Sequence, residues 1–156
     1  MDPANRPAAY RLIDACMESL AAAEALLAAE PNLLQEKTGV GETVLHFLAV
    51  ENQLDAVRWL FERGAPLDTR NDFGQTPMAD AAALGYPEMV RFFLEAGVDI
   101  DASDDSLETA VIRAARQGET EIVRLLAEHG ADVRATNDLD ESPLHLAAGC
   151  GHESTV

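Results

Sequence analysis

The stretch that decides the fold is residues 108–140, ETAVIRAARQGETEIVRLLAEHGADVRATNDLD. Its opening dipeptide has counterparts at Glu42-Thr43, Gln75-Thr76 and Glu141-Ser142, and together with Glu108-Thr109 they are spaced 33 residues apart. A strict period without insertions marks stacked units, each burying its apolar face against its neighbours. Within 108–140, Val111, Ala114 and Ala115 form one helical stripe, and Ile122, Val123, Leu125 and Leu126 form a second beyond Gly118. Each unit therefore reads as helix, tight turn, helix, then a loop or hairpin finger.

Working outward, unit 42–74 places Leu45, Leu48 and Ala49 on one short stripe and Val57, Leu60 and Phe61 on another, broken at Glu51-Asn52. Thr43 is suited to cap the first helix, its hydroxyl accepting from the free amides of the first turn. Unit 75–107 pairs Thr76 with Pro77 at the first helical position, where a missing N–H costs little. Gly85 ends its first helix, and Met89, Val90, Phe93 and Leu94 carry the second. Gly64, Gly97 and Gly130 follow the second helices, where a left-handed residue is wanted.

Toward the N-terminus, residues 1–9 hold Pro3 and Pro7 and read as a flexible lead-in. Residues 10–41 carry Leu12, Ile13, Cys16 and Leu20, then Leu26-Leu27 before the stop at Pro31. A shift of 33 residues sets Leu12 on Leu45 and Leu26-Leu27 on Trp59-Leu60, so this is a divergent capping repeat. Residues 141–156 supply one helix and the opening of another; the chain continues beyond, or something else covers that end. The expected fold is an all-α solenoid of antiparallel helix pairs: a capping unit 10–41, full units 42–74, 75–107 and 108–140, and a partial unit 141–156. Its core is expected on Leu45, Leu60, Val90, Phe93, Val111, Val123, Leu126 and Leu144.

The 156 residues suit one compact unit or an elongated stack, and 47% hydrophobic content suits a folded domain. The formal net charge is −17. Such a field repels phosphate backbones and anionic lipid, which argues against nucleic-acid and membrane partners, and it would steer in a basic protein. Solubility alone also accounts for it. Cys16 and Cys150 fall in the first and last units, too far apart to pair, and read as reduced thiols of a cytoplasmic protein. No leader pattern opens the chain, and no apolar run approaches a membrane span.

These residues resemble the ankyrin repeat. Ser142-Pro143-Leu144-His145-Leu146-Ala147-Ala148 is similar to its T-P-L-H-x-A-A helix, Gly118 to Leu126 to its G-H-x-E-I-V-x-L-L helix, and Gly130-Ala131-Asp132 to its G-A-D finger. The likeness is clear over 42–156 and weak over 10–41. The chain departs from the pattern where Val44 replaces the proline and where Ala79 and Ile112 replace the histidine. The finger glycine, present as Gly41 and Gly74, becomes Leu107 and Asp140. If that position needs positive φ, Asp140 tolerates it and Leu107 is strained, or the turn is remodelled.

The resemblance implies a non-catalytic scaffold that binds a protein through finger tips and a concave face of first helices. Carried over residue by residue, the finger positions are Arg70, Asp72, Phe73, Ser103, Asp105, Ser106, Asp138 and Leu139, with Lys37, Val40 and Thr136 beside them. The helix-end positions are Leu84, Arg116 and Gln117, with Glu51. Phe73 is the sharpest candidate, as an aromatic in a loop tip; packing against the adjacent finger explains it equally well.

Other chemistry finds little support. Asp99, Asp101 and Ser103 fit the start of a calcium loop, but Asp104 stands where glycine is required and Ala110 where the bidentate glutamate belongs. His145, Cys150 and His152 suggest zinc, yet the repeat pattern accounts for both histidines and a fourth ligand is lacking. There is no G-x-S-x-G, and Gly39-Val40-Gly41 lacks the Gly-Lys-Ser/Thr of a phosphate loop. Neither cofactor nor metal is implied. The alternatives to a plain binding module are an inhibitor or immunity-type protein masking a basic partner, a scaffold self-associating through the last repeat, and an ankyrin segment of a longer enzyme or channel. The oligomeric expectation is a monomer or a weak homo-oligomer.

Overall fold

The computed structural model describes residues 7–155. Among them lie nine α-helices: α1 (Ala8–Glu18), α2 (Leu20–Ala29), α3 (Val44–Val50), α4 (Leu54–Glu62), α5 (Pro77–Ala83), α6 (Pro87–Glu95), α7 (Ala110–Gln117), α8 (Thr120–Glu128) and α9 (Pro143–Gly149). The first helices of the units, α1, α3, α5, α7 and α9, pack side by side in one row, and each pairs with the second helix of its own unit where one follows. The result is the expected all-α repeat solenoid.

A small set of local devices recurs at the helix ends of units 42–156. The Thr76 hydroxyl accepts from Ala79 N–H at 3.3 Å and the Ser142 hydroxyl from His145 N–H at 3.3 Å, while Pro77, Pro87 and Pro143 occupy first-turn positions. First helices end at Asn52, Gly85, Gly118 and Gly151, all at positive φ. The amide of the next residue then reaches back to the helix, as in Gln53 N to Leu48 O at 2.8 Å and Tyr86 N to Ala81 O at 3.1 Å. Second helices end identically at Gly64, Gly97 and Gly130, with Ala65 N bonded to Leu60 O at 3.1 Å and Ala131 N to Leu126 O at 3.0 Å. These locks hold the turns short enough for neighbouring units to stack.

Leu12, Leu45, Leu48, Leu60, Met89, Val90, Phe93, Val111, Ile122 and Leu126 are fully enclosed and form the continuous core. Two expected core residues depart from it. Val123 is half-buried, and Leu144 is 54% exposed although its counterparts Leu45, Met78 and Val111 are buried. Among the described residues no helix follows α9, whereas α3, α5 and α7 are each followed by a further first helix packed against them. At the other end α1 begins at Ala8, so the expected lead-in is helical at residues 8 and 9; its residues 1–6 lie outside the described residues. Ser19 alone separates α1 from α2, capping α2 through Ala22 N–H at 3.1 Å. Pro31 stops α2 but opens a short 3-10 turn, Pro31–Gln35, that buries Leu33.

Candidate functional site

The fingers between units are turns rather than strands; the only bridge among the described residues pairs Lys37 with Thr43. Each tip is closed by one side-chain oxygen that accepts two backbone amides. Asn71 Oδ1 takes Phe73 N–H and Gln75 N–H, both at 3.0 Å, and Asn137 Oδ1 takes Leu139 N–H at 3.0 Å and Glu141 N–H at 2.9 Å. Asp104 and Thr38 do the same in their fingers. Successive tips are joined edge to edge: Asp72 N to Val40 O at 3.1 Å, Asp105 N to Phe73 O at 3.1 Å, and Asp138 N to Ser106 O at 3.0 Å. Four separate turns thereby become one ridge.

The turn geometry explains the residue at the base of each tip. Gly41 and Gly74 have φ of 74°, and Leu107 and Asp140 have φ of 59° and 60°. The departure from glycine at Leu107 leaves the turn in place and the leucine in the left-handed region, at a cost of about 1–2 kcal/mol. A Cβ on Gly74 would lie 2.7 Å from Asp105 Oδ1, so the following finger's carboxylate rests over this glycine.

Along the ridge, Phe73 is 57% exposed and Leu139 72% exposed, and Asp72, Asp105, Ser106 and Asp138 also face outward. Arg70 is exposed too, but its guanidinium is engaged: Nη1 donates to Gly74 O at 3.1 Å and to Ser103 O. Ser103 is half-buried beneath it. Lys37 Nζ donates to Arg70 O at 3.0 Å. Both cations thus staple backbone between fingers.

A second set of expected positions meets on the row of first helices. Val50, Asp80, Ala83, Leu84, Arg113 and Gln117 line a groove of about 410 Å³. It adjoins a cavity of about 220 Å³ lined by Gln75, Ala83, Glu108, Arg113, Arg116 and Gln117. Leu84, Arg116 and Gln117 are therefore brought together, whereas the fingertip residues stand apart from them beyond Gln75 and Glu108. Arg116 pairs with Glu108, and its carbonyl accepts from His152 Nε2 at 3.0 Å.

Sequence patterning missed the groove floor. Arg113 Nη2 lies 3.2 Å from Asp80 Oδ1, with side-chain exposures of 18% and 12%. Burial pushes the Asp80 carboxyl up to about 6 even though Arg113 pulls it down. Arg113 Nη1 is buried without a hydrogen-bond partner among the described residues. The two residues occupy equivalent places in adjacent units, where Phe47 and Leu146 stand elsewhere; opposite charges spaced one repeat apart were the available signal.

The histidines have structural partners. Thr43 N–H donates to His46 Nδ1 at 3.1 Å, so the ring proton sits on Nε2, which donates to Gln75 O at 2.9 Å. Burial lowers its pKa. Among the described residues no cluster of three His, Cys, Asp or Glu side chains could hold a metal ion. Cys16 is buried, its thiol pushed up to about 11 by desolvation, and Cys150 is exposed; neither is disulfide-bonded.

A family model described as ankyrin repeats (3 copies) matches residues 12–104 and again residues 101–156. The chain belongs to the ankyrin-repeat family. The match takes in the divergent first unit, consistent with the stacking of α1 on α3. Comparison with curated proteins gave no match. Ankyrin repeats generally mediate protein–protein interaction, and none of the helices described in this ankyrin chain is long and apolar enough to cross a membrane.

Proposed function

We propose that this ankyrin array is a non-catalytic binding module that grips one partner protein between its first-helix face and its fingertips, and that the partner is basic. The observation that carries the reading is the exposure of large apolar side chains on the fingers and at a first-helix end, Leu84 at 46%, Phe73 at 57% and Leu139 at 72%; Phe73 and Leu139 are more exposed than Met17, Phe61 or Val133 elsewhere on the surface. Apolar anchors rimmed by polar groups are the usual energetic centres of interfaces. Arg116, Gln117, Asp105, Ser106 and Asp138 supply that rim, with Arg70, Asp72 and Ser103 at the finger bases. The net charge of −17 favours a cationic surface and fast, salt-sensitive association.

The test is affinity capture from source-cell lysate with three baits: the natural chain, Leu84→Ala/Gln117→Ala, and Phe73→Ala/Asp105→Lys. A specific protein held by the first bait and lost from both variants is expected. Equal retention on all three baits would refute the site. An association rate for the captured protein that is indifferent to added salt would refute its basic character.

A second reading, self-association through α9, is favoured by the exposure of Leu144. Light scattering separates the two readings: a mass that rises with concentration, and ceases to rise in Leu144→Lys, supports self-association.

A further inference from the structure

We infer that the polar cavity between α5 and α7 receives the side-chain carboxamide of a partner glutamine or asparagine, its carbonyl facing Arg113 and its amino group facing the carboxylates of Asp80 and Glu108. This inference rests on the protein-binding reading above and names the group that enters its helix-face site.

Hydrogen-bonding capacity that the fold leaves unused points to that ligand. The Arg113 guanidinium carries five N–H donors. Among the described residues its one counter-group is Asp80, 3.2 Å from Nη2, while Nη1 is buried without an acceptor. A buried donor left unmatched carries its full desolvation cost. Gln75 Oε1 accepts from Asn71 Nδ2 at 3.0 Å, which leaves the Gln75 amide protons free among the described residues. Acceptors are spare as well. Glu108 meets Arg116 through Oε1 and Asp80 meets Arg113 through Oδ1, so one oxygen of each carboxylate has no partner among the described residues. The stack does not depend on such a polar floor, since the equivalent residues in the units on either side are Phe47 and Leu146.

Charge and size select the class of ligand. Arg113, Arg116 and Glu108 line the cavity, and Asp80 lines the groove beside it. An anion would meet Asp80 and Glu108, with Glu42 and Asp104 also acting on Asp80. A cation would lie beside two guanidinium groups and leave Arg113 Nη1 unmatched. A neutral group offering both acceptor and donors satisfies both sides. A primary carboxamide has a carbonyl and two N–H groups, whereas a backbone amide has one N–H and uses fewer of the free acceptors. A volume of about 220 Å³, at roughly 30 Å³ per water-sized group, holds one side-chain head. Val50, Ala83 and Leu84 along the groove take its methylene stem. Nη1 is enclosed in the free chain, so the carbonyl meets it as the guanidinium turns about its Cδ–Nε bond.

The probe is propionamide, the end of a glutamine side chain, titrated into the isotope-labelled full chain. NMR follows the Arg113 Nε–H and Gln75 side-chain amide signals. N-methylacetamide, propionate and guanidinium stand for a backbone amide, a carboxylate and an arginine head. Propionamide is expected to shift the signals saturably, with a Kd on the order of 10 mM and about fivefold tighter than any of the other three. Gln75→Leu should weaken it about threefold, and Asp80→Phe/Arg113→Leu should abolish the saturable shift at Gln75. Urea melts establish that both variants fold. Shifts that never saturate, a tighter response to any other probe, or binding unchanged in the double variant overturns the inference. If propionamide fails while capture of the natural partner still depends on Leu84 and Gln117, the helix-face reading stands and the carboxamide assignment alone is refuted.

Discussion

Arg113→Leu offers the most direct test of how the groove is built. Asp80 titrates near 6 in the folded chain against 3.8 for a free side chain, a rise of about two units or roughly 3 kcal/mol. Because this acid's folded pKa is raised, its stabilising contribution is full below pH 3.8 and is lost as pH rises through about 6. Near neutrality the ionised carboxylate therefore weighs against folding, and Arg113 limits that cost. Removing Arg113 should destabilise the chain by about 3–5 kcal/mol at pH 7.5, and by less at pH 5, where the carboxyl is protonated. The double variant Asp80→Phe/Arg113→Leu installs the residue types found at the equivalent Phe47 and Leu146 and should return to within about 1 kcal/mol of the natural chain. Urea melts at the two pH values, with an NMR titration of the Asp80 carboxyl, supply the measurements. A single variant that loses less than about 1 kcal/mol at pH 7.5, with Asp80 titrating as a free aspartate, would show the pair to be solvated and refute the reasoning.

Three further outcomes are expected. Gly97→Ala meets open space at a φ of 81° and should cost only about 1 kcal/mol, whereas Gly41→Ala would set its Cβ 2.7 Å from Asp72 N and should cost about 2–3 kcal/mol by breaking the bond between fingers; equal losses in urea melts would contradict the ridge. His46 acts on acid stability in the opposite sense to Asp80. Its lowered pKa gives stability that is present above 6.5 and lost as pH falls, so His46→Leu should flatten that limb of the stability–pH curve, and an unchanged limb would be contrary. Leu107→Gly should leave stability within about 1 kcal/mol, because relief of the left-handed strain offsets glycine's entropy; a loss above about 2 kcal/mol in urea melts would show that the leucine side chain stabilises the finger.

Most of the frame was legible because it is periodic in the features that physics constrains most tightly. Thr76 and Ser142 cap two repeats apart, and at single-repeat spacing Gly64, Gly97 and Gly130 terminate while Leu60, Phe93 and Leu126 fill the core. Periodicity misled where a residue's surroundings ceased to repeat. Leu144 has the same local pattern as Leu45 but no helix packed over it, so pattern alone assigned it to the core. The fingertip clamp was overlooked because Thr38, Asn71, Asp104 and Asn137 are of three residue types while performing one task, which only the hydrogen bonds reveal.

The candidate site was legible only as a set of addresses, and the reason lies in how the frame is stabilised. Finger-to-finger bonds such as Phe73 O to Asp105 N use backbone alone, so the side chains at the tips can vary without disturbing the stack. Positions that local folding leaves free carry no periodic signal, and their role appears only when exposure and pairing are known. The informative residues are those whose presence costs the fold something: a leucine at a φ of 59° in Leu107, an aromatic more than half exposed in Phe73, and a desolvated acid in Asp80. Local packing would favour glycine at the first, a small polar residue at the second and an apolar one at the third. Strain and exposure of this kind persist where something other than folding stability is served. All three lie on the side of the array formed by the fingers and first helices, which is why the partner is sought there.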